Sequence, residues 1–131
     1  MTTLLDTNTC KVIYKENADF FTIRWIGFPK SKEFRTACNF ILDEMKKKNI
    51  KKLLTNNSQA KLFAVDDQKW LNNDWLPRAE KTGYYCSAVV SNDDVFIKSA
   101  LRNITAKRDA TKFLSNYFSS EEEAEKWLAT V

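Results

Sequence analysis

The chain has 131 residues, a net charge of +4 at pH 7, 44% apolar and 29% charged residues, and no histidine. That length suits one domain of ordinary size, the composition excludes a disordered chain, and the charge is too mild to call for a nucleic-acid partner unless it clusters on one face. Without histidine, Ser–His and Cys–His nucleophile systems are excluded, and Cys10, Cys38 and Cys86 are too few and too far apart for an all-cysteine zinc site.

The opening "MTTLLDTNTC" lacks a basic segment followed by an apolar run, so no secretory signal is expected. No apolar stretch approaches the roughly 20 residues that span a bilayer. With an odd number of cysteines, the expected setting is the reducing cytoplasm. "CKVIYKEN" (10–17) and "DFFTIRWIGF" (19–28) alternate as strands, and the break at Asn17–Asp19 predicts a hairpin. In the second strand Phe21, Ile23 and Trp25 share one face; Phe20, Thr22, Arg24 and Ile26 share the other. Gly27 and Pro29 end it.

Over 31–49 the spacing predicts a helix with Phe34, Ala37, Cys38, Ile41, Leu42 and Met45 in one stripe, Ser31 as N-cap, and Lys46, Lys47 and Lys48 at the end where the helix dipole favours them. "IKKLLTNN" (50–57) reads as a short buried strand. "DDQKWLNNDWLPRAEKTG" starts with acids and ends with Lys81 and Gly83, the start and stop signals of another helix. Pro77 cannot donate to the Asn73 carbonyl, so that helix should kink or restart. "YYCSAVV" (84–90) is a strand, 93–108 a helix with Ile97, Ala100, Leu101 and Ile104 in register, and "TKFLSNYF" (111–118) a strand. A helix closes the chain at 119–130, with Ser120 and Glu123 as a capping box. Strands alternating with helices imply an α/β fold: a mixed, mainly parallel sheet of about five strands, an N-terminal hairpin and about four flanking helices.

The features that look functional each have a structural reading beside them. The acid and base runs sit at helix starts and ends, which accounts for them without a metal or nucleic-acid site. With only two glycines there is no Gly-rich phosphate loop, and nothing calls for a cofactor. Trp70, Leu71, Trp75 and Ala79 share a helical arc with Asp74 and Arg78. The arc packs the helix on the sheet, with an Asp–Arg pair at the core's edge, or else provides a stacking platform for a ligand. Asn56 and Ser58 in "TNNS", and Ser91 and Asn92 in "SNDD", follow strands, where crevices of parallel sheets bind ligands; they also suit turns and caps. Cys38 and Cys86 read as buried thiols, Cys10 as a more exposed one.

The element order, with "FRTACNFILDEMKKKNIKKLL", "DDQKWLNNDWLPRAEKTGYYCSAVV" and "YFSSEEEAEKWL", resembles the small STAS-like proteins of Bacteroidetes. These are related in fold to anti-sigma factor antagonists and, more loosely, to CRAL-TRIO lipid carriers. The resemblance implies a non-catalytic regulatory or protein-interaction module. Anti-sigma factor antagonists carry a phosphorylatable serine in an Asp-Ser-x-Gly segment at the entry to a helix. The matching region here is "AVDDQKW", with Asp67 near the serine's place and no glycine after it. The expected partner-binding residues are therefore Asp66, Asp67, Lys69 and Asn73.

A second expectation is a carrier of a small apolar ligand, with Asn56, Ser58, Trp70, Trp75, Arg78, Ser91 and Asn92 as candidate ligand residues. A third, weaker one is a carboxylate enzyme using Asp66, Asp67, Asp93 and Asp94. An exposed sheet edge also suits a homodimer.

Overall fold

The computed structural model describes residues 1–91 and 113–131. Six strands form one sheet in sequence order: β1 (Thr2–Asp6), β2 (Cys10–Tyr14), β3 (Phe20–Gly27), β4 (Lys52–Ala60), β5 (Cys86–Val90) and β6 (Leu114–Phe118). The β1–β2 and β2–β3 pairs are antiparallel; β3–β4, β4–β5 and β5–β6 are parallel. The mixed, mainly parallel α/β sheet is thus the expected one, with one more strand. β1 is the addition. It lies at the edge and touches the core only through Leu4 and Leu5, so its sequence lacks the apolar alternation that marks a strand.

The helices are α1 (Ser31–Lys48), α2 (Val65–Trp70), α3 (Leu76–Lys81) and α4 (Glu121–Leu128). The expected helix over 93–108 lies outside the described residues. All six residues of the α1 stripe are buried. Ser31, expected to cap α1, is instead its first residue: Lys30 occupies the cap without a side-chain bond, and the Ser31 hydroxyl reaches across to Asp67.

Between α2 and α3 the backbone widens. Leu71–Trp75 is wound as a π-helix, and Leu76 N donates to Leu71 O, five residues back. Pro77 stands in the first turn of α3. A proline there leaves the Asn73 carbonyl without its usual donor, and the π turn lets the helix continue past it in place of a sharp break.

The two faces of β3 divide as its alternation implies. Phe21, Ile23 and Trp25 join the larger core under α1 and the π-interrupted helix. Phe20 and Arg24 turn to α4, whose Ala124 and Leu128 cover Leu54, Cys86, Ala88 and Val90. β4 runs further than its apolar run suggested, to Ala60. Its register against β3 slips between Arg24↔Asn56 and Ile26↔Gln59, so Trp25 faces two residues, Asn57 and Ser58, across a β-bulge.

Candidate functional site

Asp67, an expected surface charge, is inside. Only 1% of it is exposed. Oδ2 accepts from Ser31 Oγ at 3.0 Å and Oδ1 from Arg35 Nε at 3.0 Å, so the carboxylate ties α2 to α1. A carboxylate this buried keeps its charge by being paired and hydrogen-bonded. This corrects the expectation that Asp67 meets a partner. Asp66, Lys69 and Asn73 are exposed, and at spacings of three and four residues they share one side of the helix.

That exposed side continues an apolar one. Lys61 N donates to Gly27 O at 2.8 Å, joining the ends of β3 and β4. Phe28 and Leu62 follow directly on the two sides of this bond, and Val65 opens α2 three residues later. They are 53%, 37% and 63% exposed. Gly27 takes a φ of +66°, a turn that only glycine adopts freely, and it delivers Phe28 outward.

Trp75 and Trp70 behave differently. Trp75 is buried, its indole N–H donating to Cys38 O at 2.7 Å, and it packs the helix on the sheet. Trp70 is half-buried beneath two guanidinium groups, Arg35 at 5.3 Å and Arg78 at 6.0 Å from its ring centre. Arg78 Nη2 also donates to Asn39 Oδ1 at 2.8 Å and to exposed Asp74 at 3.0 Å, so the Asp–Arg pair does sit at the core's edge. Trp70's face is therefore covered from within the chain.

Under this helix lies a mostly apolar cavity of about 100 Å³. β3 supplies Ile23 and Trp25; α1 supplies Phe34, Cys38 and Ile41; the π turn and the start of α3 supply Leu71, Trp75 and Leu76. Thr55, Asn57 and Ser87 bring polar groups from the sheet.

Asn56 and Ser58 stand on β4 itself, not beyond it. They line a separate, polar crevice on the α4 side, with Lys11, Arg24, Gln59 and Glu121. Its polar groups are largely satisfied by one another. Arg24 donates twice to Glu121, at 2.9 and 3.0 Å; Asn56 Nδ2 donates to Glu121 at 2.6 Å, and Ser58 N and Oγ both donate to Asn56 Oδ1. These bonds, Arg24's first, lower the Glu121 pKa. The candidate ligand residues are thus split. Trp75 lines the cavity, Asn56 and Ser58 line the crevice, and Trp70 and Arg78 brace the helix pair. Ser91 is half-buried after β5, its N–H donating to Phe118 O at 3.4 Å. Asn92, Asp93 and Asp94 lie outside the described residues. Asn57 and Ser87, which sequence reasoning passed over, face the cavity; the bulge that places Asn57 there has no mark in the local sequence.

The thiols are poor nucleophiles. Burial pushes Cys10 up to about 12, Cys86 up to about 11 and Cys38 well above the ordinary thiol range. Cys10 is wholly buried, contrary to its expected exposure near the terminus, because it heads β2 opposite Trp25.

No family model and no curated protein matches the chain. Among solved structures, the anti-sigma factor antagonist SpoIIAA in its unphosphorylated form matches 94% of this chain over 100% of its own, with a TM-score of 0.64 and 10% identity. An uncharacterized protein with a SpoIIAA-like fold from Shewanella loihica PV-4 matches 95% of this chain over 98% of its own, with a TM-score of 0.62 and 13% identity. The chain has the SpoIIAA-like, STAS-type fold. At such identities the likeness concerns the fold.

Proposed function

We propose that this protein is a non-catalytic regulatory module that acts by binding a protein partner, through the face formed where β3 and β4 end and α2 begins. The observation that carries the reading is the exposure of Phe28, Leu62 and Val65 at one end of the sheet, beside the exposed Asp66, Lys69 and Asn73. Exposed apolar side chains rimmed by charged and polar ones are what a protein interface offers. The name of one structural neighbour, an anti-sigma factor antagonist, describes action on another protein, which supports the same class of function.

In this reading Asp67 is a positioning residue. It holds the start of α2 against α1, and α2 in turn presents Val65, Asp66 and Lys69. Its place near the serine of the Asp-Ser-x-Gly segment is filled by a buried ion pair, so the face works here as a fixed surface.

The test is cross-linking capture from the cells that make the protein. Wild type is compared with Val65→Asp and Lys69→Glu, and with Lys126→Glu on α4 as the control. The two face variants should keep the wild-type melting temperature and lose the captured partner; the control should keep it. Capture that survives both face substitutions, or the lack of any captured partner, removes the reading.

A further inference from the structure

The cavity under the π-interrupted helix has the makings of a ligand site. We propose that it binds a compact, mostly apolar molecule of about one ring carrying a single hydroxyl or carbonyl group, with Asn57 as its hydrogen-bonding partner. This goes beyond the docking face, which lies on the outside of α2, and does not depend on it.

Three observations converge. The first is size and lining. At about 100 Å³ the space is somewhat smaller than the roughly 150 Å³ apolar cavity known to take up benzene, and Trp25, Phe34, Ile41, Leu71 and Trp75 make its walls apolar. A well-packed interior rarely leaves such a void.

The second is an underused polar side chain. Asn57 is only 2% exposed and lines the cavity. Its amide can make four hydrogen bonds. Among the described residues it makes one, a long 3.4 Å donation from Nδ2 to Thr55 O. A buried amide so poorly matched costs stability unless something else meets it. Apolar walls with a few convergent polar groups are the usual make-up of a small-molecule site.

The third is backbone irregularity on both sides of the same space. The bulge in β4 falls at Asn57 and Ser58, and the π turn spans Leu71–Trp75 on the opposite wall. A regular strand and a regular helix would pack more closely. Bulges and π turns commonly mark places where a chain is re-aimed for function.

The probes are phenol and benzene, and the readout is the indole N–H resonances of 15N-labelled protein. Trp25 and Trp75 line the cavity, whereas Trp127 is on α4, across the sheet. Phenol should shift Trp25 and Trp75 saturably and leave Trp127 unmoved. Benzene should move the same pair about tenfold more weakly, the factor expected for one hydrogen bond. In Asn57→Leu, which keeps the branched shape but has no polar atoms and is bulkier, phenol should lose its advantage over benzene. The wild-type titration decides the matter even if that variant fails to fold. No saturable shift with phenol, or equal shifts at Trp127, overturns the site. A folded Asn57→Leu that binds phenol as tightly as wild type overturns the role of Asn57.

Discussion

On one side of the sheet, α1 and the π-interrupted helix meet rings: Trp25, Phe34 and Phe63 stack edge to face or tilted within 5.9 Å of one another, Phe34 meets Trp70 at 6.3 Å, and Trp75, Tyr84 and Phe113 form a second series. On the other side, α4 covers mostly small and aliphatic residues, with one ring contact between its Trp127 and Phe118 at 5.6 Å, and is held by charges. Arg24 and Asn56 grip its first residue, Glu121; Lys15 pairs with Glu125; and Lys52 Nζ donates to Leu128 O and Val131 O at its end. The difference follows from helix length. An 18-residue helix buries enough apolar area to be held by packing, even packing that leaves a void. An eight-residue helix alone is marginal in water, so directed bonds at both ends make up what area cannot supply.

The comparison breaks first if the ring cluster is not the main anchor. Phe34 touches Trp25, Phe63 and Trp70, so Phe34→Ala should cost about 3–5 kcal/mol of unfolding free energy in urea. A loss below about 1 kcal/mol would show that the existing void already absorbs the missing ring.

Much of the ring face was legible in the sequence, because period-2 alternation sorted β3 and a 3.6-residue stripe sorted α1. Pro77 also announced a departure from the α-helix, although not its form. What stayed hidden were pairings between distant segments. Asp67 and Asp66 are adjacent acids at a helix start and look alike in sequence; only the approach of α1 buries one and leaves the other in water. Asn57 has the same history, since its direction depends on a bulge set by the β3–β4 register. β1 was missed because an edge strand needs few buried side chains.

A smaller effect sharpens the other side of the comparison. Lys52 is only 3% exposed, pairs with Asp19 at 2.7 Å and donates to the main-chain oxygens of Leu128, the last residue of α4, and of Val131. Lys52→Met keeps the apolar stem and removes the donors. The stranded carbonyls should cost about 1–3 kcal/mol. Hydrogen exchange should quicken in α4 while α1 stays protected; equal quickening in both helices would mean that the two faces do not differ in how they are held.

The smallest effect tests the clamp at α4's start through pH. The Arg24 hydrogen bond, then that of Asn56, holds the Glu121 carboxyl below its ordinary value, against the opposing pull of burial. Its folded-state pKa is thus lower than its unfolded one, so the stabilisation is complete above the unfolded value and is lost as pH falls through the folded one. Glu121→Gln removes the charge. Because Arg24 is 41% exposed, solvent screening limits the clamp to about 1 kcal/mol at neutral pH. The gap between wild type and Glu121→Gln in urea midpoints should stay level down to about pH 5 and shrink as the pH falls below the ordinary carboxylate range. A gap that persists undiminished at about pH 3 would trace the variant's loss to packing at the start of α4 and leave charge without its assigned part on that face.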